Sequence, residues 1–303
     1  MPGCHSTGIL PHVRKLRVLL GFAAVFALSA GPDEPLAQAP VDASIPDFIG
    51  ARGLALGAYR GVATGNDGIF TNVASLAALK RYSIEGQYFL DRADSQNALE
   101  AFDISVVDSS SASFTGGLAY TRVFSGPWVG NMMDLPIAIP VSNLLFLGVN
   151  GKWMSFNGPG NSMNMLNVDA AAYLKASSLV GLGVAGYNLL DSGHRAQAPR
   201  GMGAGLSIGD SVHYTLAFDW RGDFDRQSSL TNLLALGGEY VLGGSYPVRA
   251  SFVKDDTRNA NFWSVGAGLI TNGGFALDLS YRQRIESPEE FTVAAAVKLF
   301  LFQ

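Results

Sequence analysis

The chain has 303 residues, 15% of them charged and 36 of them glycine, with a formal net charge of −4 and a mean hydropathy of +0.20. Charged residues fall well below the roughly 25% of soluble domains, yet beyond residue 40 no apolar run reaches the roughly 18 residues that a spanning helix needs. Lipid tolerates only helices and closed barrels, so a β-barrel or a soluble β fold remains, and the negative balance argues against a nucleic-acid partner.

Arg14, Lys15 and Arg17 precede the apolar stretch 18–30, the layout of a secretory signal. Residues 1–39 are assigned to that leader, with cleavage after Ala30 or after the Ala37-Gln38-Ala39 triplet. Cys4 is the only cysteine and precedes the apolar stretch, so cleavage leaves a chain without disulfides, thiolate metal sites or cysteine nucleophiles. Residues 40–81 form a second segment, broken by Gly50, Gly53, Gly57, Gly61, Gly65 and Gly68, whose Ala/Leu-rich end 73–81 predicts a short helix. It has no partner strand, and either hangs in the periplasm or fills a barrel lumen as a hatch.

From residue 82 to 303 the sequence alternates with period two, which places one residue set on each strand face. Phe275, Leu277, Leu279 and Tyr281 alternate with Asp278, Ser280 and Arg282; Val212, Tyr214, Leu216, Phe218 and Trp220 alternate with His213, Thr215, Asp219 and Arg221. Strands are predicted at 82–90, 99–107, 113–124, 132–140, 144–156, 164–175, 178–189, 199–208, 211–221, 230–242, 246–254, 260–271, 274–284 and 290–302. Tight joins at 142–143, 176–177, 209–210, 243–244 and 272–273 alternate with longer polar ones at 91–97, 157–162, 190–198 and 222–229. Outer-membrane barrels join their strands in this way, with short periplasmic turns and longer external loops. Asn272-Gly273 predicts a type I′ hairpin, with positive φ at both positions. Aromatics near the strand ends, among them Tyr82, Tyr88, Phe89, Trp153, Phe156, Tyr214, Trp220, Tyr240, Tyr281, Phe300 and Phe302, fit interfacial girdles. The last strand is apolar and aromatic-rich, similar to the strand that engages the barrel-assembly machinery, although it ends on Gln303 rather than an aromatic residue. The fold class is therefore all-β, a transmembrane antiparallel barrel of about fourteen strands preceded by a hatch containing short helix.

Gly50-Ala51-Arg52-Gly53-Leu54-Ala55-Leu56-Gly57-Ala58, followed by Asp67 and then Asn72-Val73-Ala74-Ser75-Leu76-Ala77, resembles the N-terminal hatch of the FadL-type and PorV-type outer-membrane families, G-A-R-A-x-x-M-G-G-A and then N-P-A-x-L-A. Asn72, Ala74, Leu76 and Ala77 match; Val73 stands where the family has proline, which would have fixed φ there. The resemblance implies a fourteen-strand barrel with a hatch. FadL-type members pass hydrophobic molecules such as fatty acids, and PorV-type members serve secretion and surface attachment; the shared fold fixes neither. Hatch or gate candidates are Phe70, Asn72, Val73, Ala74 and Leu76.

The alternation turns Glu85, Asp103, Lys152, Asp169, His213, Asp219, Arg221, Glu239, Arg249, Asp278, Arg282 and Lys298 inward. Opposite charges on neighbouring strands pair to make a structural polar lumen; alternatively Lys152, Arg221, Arg249 and Arg282 bind a carboxylate head group on a permeation path. Phe89, Met154 and Phe156, with Phe70 and Leu76 of the hatch, are candidates to line an apolar pocket. No Gly-x-Ser-x-Gly elbow is present, and the histidines after the leader are His194 and His213. Asp255-Asp256 and Asp223-Phe224-Asp225 read as solvated loop charges. The expected function is a passive channel for small hydrophobic or amphipathic molecules, without catalytic residues, metal or cofactor. Outer-membrane lipid and the assembly machinery are the expected partners. The alternatives are a docking barrel of the PorV kind, a soluble periplasmic β protein and a barrel enzyme.

Overall fold

The computed structural model describes residues 50–63, 65–92, 98–195, 197–210, 212–224 and 230–301. The leader and both its cleavage positions, Asp225 and Phe302-Gln303 lie outside them. Fourteen antiparallel strands close into one barrel, each bonded to its sequence neighbours and the first to the last. They are β1 Tyr82–Arg92, β2 Leu99–Asp108, β3 Thr115–Ser125, β4 Trp128–Pro140, β5 Leu145–Gly158, β6 Asn161–Lys175, β7 Val180–Tyr187, β8 Gly201–Gly209, β9 Tyr214–Asp223, β10 Thr231–Leu242, β11 Tyr246–Asp255, β12 Ala260–Ile270, β13 Phe275–Arg284 and β14 Phe291–Leu301.

The orientation of the alternation decides between membrane and water. Along β2, Phe102 and Ile104 are 50% and 56% exposed, while Ala101, Asp103 and Ser105 between them are buried. A soluble sandwich turns its apolar set inward. Here the exposed apolar set faces out from the cylinder and most charged strand residues face the lumen, the arrangement of an outer-membrane barrel. No helix among the described residues is long and apolar enough to cross a membrane; the strands supply the span.

Several joins differ from expectation. Residues 157–162 are mostly strand, because Pro159-Gly160 turns β5 directly into β6 with Gly160 at φ 71, and Gly126-Pro127 does the same between β3 and β4 with Gly126 at φ 53. The end expected to face outward therefore carries tight hairpins as well as long joins. Gly243 and Gly244 take φ 57 and 72, as a type I′ turn requires. At 272–273 the positive φ falls instead on Gly274, at 79, because Thr271 N donates to Phe275 O at 2.8 Å and encloses a longer loop. His213 is not in a strand: Asp210 Oδ1 accepts from Val212 N at 3.0 Å and His213 N at 2.7 Å, prolonging the turn so that β9 starts at Tyr214 and the imidazole is exposed.

Residues 50–81 fold inside the barrel. Helix α1, Ala51–Leu56, ends at Gly57, whose φ of 69 favours glycine and whose N–H donates to Gly53 O. Helix α2 spans Gly68–Thr71. The helix expected over 73–81 is a six-residue 3-10 helix, Val73–Ala78, capped where the Asn72 side chain accepts from Ala74 N at 3.2 Å. Past it the chain extends into β1, anchored by the Ser109 hydroxyl, which donates to Leu79 O.

Candidate functional site: the lumen and its hatch

Two walls of different chemistry face each other across the lumen. On β1 to β6 the hydrogen-bonding register links Phe89, Ala101, Val123, Gly130, Phe156 and Met163 in one row; the next row runs Gln87, Asp103, Thr121, Met132, Met154, Met165. The apolar members of these rows form one buried cluster, whose floor is Ala51 and Leu54 of α1 and which also takes in Ala198 of the β7–β8 join. Methionine thioethers are flexible and polarisable, which suits a surface that must accommodate apolar shapes.

A second cluster lies on the other side of the hatch, where Ile69, Val73 and Leu76 pack with Val107 and Ala119, and Phe70 packs against both clusters. Beside this second cluster the β3–β4 ladder is interrupted. Pairing runs through Thr115↔Ala138 and Gly116↔Ile137 and resumes at Ala119↔Asp134, leaving Gly117-Leu118 opposite Leu135-Pro136 unpaired. Pro136 has no N–H to donate, and glycine weakens a strand interior.

The opposite wall, β7 to β14, carries charge. Arg52 in α1 donates to both carboxylate oxygens of Glu239 at 2.7 and 3.0 Å; Arg249 bridges Glu239 at 2.5 Å and Asp278 at 2.6 Å. Lys298 then joins Asp278 at 3.7 Å, Glu85 at 3.0 Å and Asp67 of the hatch at 3.3 Å. Both ends of this ion chain are hatch residues, so the wall holds the hatch through charge. Buried charges are tolerated only when paired in this way.

A second anchor grips the bend of the hatch. Asp219 accepts from Tyr59 N at 2.9 Å, from Arg60 N at 3.0 Å and from Arg60 Nη1 at 3.1 Å, while Arg60 Nε donates to the Tyr187 hydroxyl at 2.6 Å. That hydroxyl donates to Thr71 O at 2.5 Å, and Asn72 Nδ2 donates to Arg60 O at 2.8 Å. The hatch backbone lies directly on a wall of glycine: a Cβ at Gly183 would stand 1.8 Å from Arg60 O, and one at Gly237 would stand 1.7 Å from Leu56 O. Burial and the carboxylate of Asp219 raise the Tyr59 phenol above its ordinary range.

Of the strand charges named from the alternation, Glu85, Asp103, Asp169, Asp219, Arg221, Glu239, Arg249, Asp278 and Lys298 are buried, Lys152 and Arg282 are half-buried, and His213 is exposed. Lys152 pairs with Asp169 at 2.9 Å and Arg221 with Asp223 at 2.9 Å; Arg282 lies over the Phe262 ring and donates weakly to Thr292 at 3.4 Å. The cations proposed for a head group are thus scattered around the barrel. Phe89, Met154, Phe156 and Phe70 converge as expected; Leu76 does not, and belongs to the second cluster. Phe89 and Phe156 face the lumen rather than a girdle. Asn72 caps the 3-10 helix, and Val73 and Ala74 are buried within it, so of the hatch candidates Phe70 alone spans both clusters. Arg52, Arg60, Asp67 and Tyr187 carry the anchoring and had no assigned role from sequence. Their signal was present in the inward acids of β9, β10 and β13, which needed cations that the strands themselves only partly supply.

No family model matches the sequence, and no curated protein matches it. Solved structures share the fold: the Ralstonia pickettii toluene transporter TbuX superposes with a TM-score of 0.64 at 10% identity, covering 84% of this chain and 98% of that one. The CymD monoaromatic hydrocarbon channel gives 0.62 at 11% identity over 85% and 98%, and a Pseudomonas aeruginosa FadL homologue gives 0.57 at 11% over 83% and 97%.

Proposed function

We propose that this chain is an outer-membrane channel for small hydrophobic molecules, which enter from the external end, rest against the Met/aromatic wall of β1 to β6 and pass Phe70 on the hatch. The observation that carries this reading is the apolar cluster itself. Water-filled barrels line their lumen with polar groups, whereas two contiguous rows here place four methionines and two phenylalanines inside, with Trp128 packed in the same cluster. A ligand leaving past Phe70 reaches the second cluster and the break in the β3–β4 ladder, where the wall has lost its cross-strand bonds. The hydrocarbon channel and toluene transporter that share this fold support the same reading.

The hatch, fixed at two ionic anchors, favours a second reading in which the lumen stays plugged and the external joins dock a secretion or surface protein. Uptake of a naphthalene-class probe by proteoliposomes separates them. Transport requires uptake in the full-length protein that changes when residues 50–78 are deleted; unchanged uptake after that deletion sinks the channel proposal.

A further inference from the structure

Most lumenal carboxylates in this barrel pair with cations. Asp169 has Lys152, Asp219 has Arg60, Glu239 has Arg52 and Arg249, Asp278 has Arg249 and Lys298, Asp223 has Arg221, and Asp91 has Arg258 at 3.5 Å. Asp134 also lacks an ion pair, but it stands opposite Lys152 in the β4–β5 register and accepts from Asn150 Nδ2 at 2.7 Å. Asp103 has neither a paired cation nor one opposite it in the register among the described residues. It is 5% exposed, accepts from the Thr121 hydroxyl at 2.9 Å, and its Oδ1 has no hydrogen-bond partner. Neutral groups flank it, Gln87 and Thr121 in the same row, and these solvate a carboxylate without balancing its charge.

The place of Asp103 gives that imbalance a use. It is the one ionisable residue in the row that continues into Met132, Met154 and Met165, and the row above it holds Phe89, Ala101 and Val123. A buried carboxylate at the margin of an apolar surface is what a ligand with an apolar body and one cationic end requires. We infer that the lumen selects aromatic or alkyl amines, with the protonated nitrogen ion-paired to Asp103 and the apolar body against the methionine and phenylalanine side chains. This deepens the channel reading above and rests on it. Apart from Arg282, which lies over the Phe262 ring, the lumenal cations of the opposite wall are paired with carboxylates, which leaves an anionic head group less well served than a cationic one.

The test compares 2-(1-naphthyl)ethylamine with 1-ethylnaphthalene, the same apolar body with and without the ammonium, by probe fluorescence on protein-loaded nanodiscs after subtracting empty nanodiscs. A buried charge-assisted pair predicts that the amine binds roughly tenfold or more tightly in the wild type. The preference falls toward one in Asp103→Asn and returns in Asp103→Glu. Heat-shifted gel migration certifies that each variant folds; if Asp103→Asn does not, the wild-type ratio alone decides. Neutral probe bound with no preference for the amine overturns the role of Asp103 and leaves the channel standing, as does a preference that survives in Asp103→Asn. Neither probe binding above empty nanodiscs overturns both.

Discussion

Replacing Asp219 with alanine removes the acceptor that holds the hatch at its bend. The carboxylate takes hydrogen bonds from two backbone amides and one guanidinium, and both charges are buried, at 3% and 0% side-chain exposure. Breaking a buried pair by deleting one partner costs about 3–5 kcal/mol. Arg60 keeps the Tyr187 hydroxyl and its position over the Tyr59 and Tyr187 rings, which sets the cost at the lower end, about 3 kcal/mol. At 1.4 kcal/mol per factor of ten, the open population of the bend rises about a hundredfold. Hydrogen exchange by mass spectrometry on residues 58–62 should show that acceleration, with β12 amides unchanged as the internal control. Asp219→Asn keeps one acceptor oxygen and falls between. An Arg60→Leu/Asp219→Leu pair costs less than the sum of its single changes, because neither charge is then stranded. Unaltered exchange at 58–62 in Asp219→Ala would refute the ionic anchor and leave packing alone to hold the hatch.

Gly183→Ala places a methyl group 1.8 Å from Arg60 O, and because the obstacle is backbone the hatch must move; ion conductance in planar bilayers should rise above wild type, whereas Gly151→Ala, with open space around its Cβ, should leave it unchanged. Phe70→Trp, overfilling the position that joins the two apolar clusters, is expected to slow probe passage several-fold without weakening probe binding, read from stopped-flow fluorescence. The Asn261 side chain donates to Glu286 at 2.6 Å and, with backbone donors, draws that carboxyl down to about 2. A depressed acid contributes its stabilisation above its ordinary value of 4.5 and loses it as pH falls through about 2, so the carboxyl carbon resonance of Glu286 should titrate there and shift back toward 4.5 in Asn261→Ala.

The barrel was legible because period-two alternation is imposed by strand geometry and runs through most spanning segments. β13 and β9 declare their two faces residue by residue, and all fourteen predicted strands overlap an observed one. The ends were less legible. Proline and glycine at 126–127 and 159–160 make tight turns as readily as long loops, and only the pairing partner decides. Within the lumen, the sequence marks which charges point inward but not which meet. Lys298 reaches Asp67 across 231 positions, and Arg60 reaches Asp219 across 159. Arg52 stood in the hatch motif and Arg60 just beyond it, yet their partners are set by how the hatch coils inside the cylinder, which no local pattern encodes. The same holds for Gly183 and Gly237, which read as ordinary strand glycines until the hatch backbone is laid against them.

Passage of an apolar molecule through the lumen is tested most directly by the rate at which a naphthalene-class probe enters proteoliposomes bearing wild-type protein, compared with protein-free vesicles and with Met154→Asp, which puts a charge into the apolar wall. Faster entry with the wild type, returning to the protein-free rate in a Met154→Asp variant that retains its heat-shifted migration, is the predicted result. Equal rates in all three preparations would contradict a channel and leave a plugged barrel.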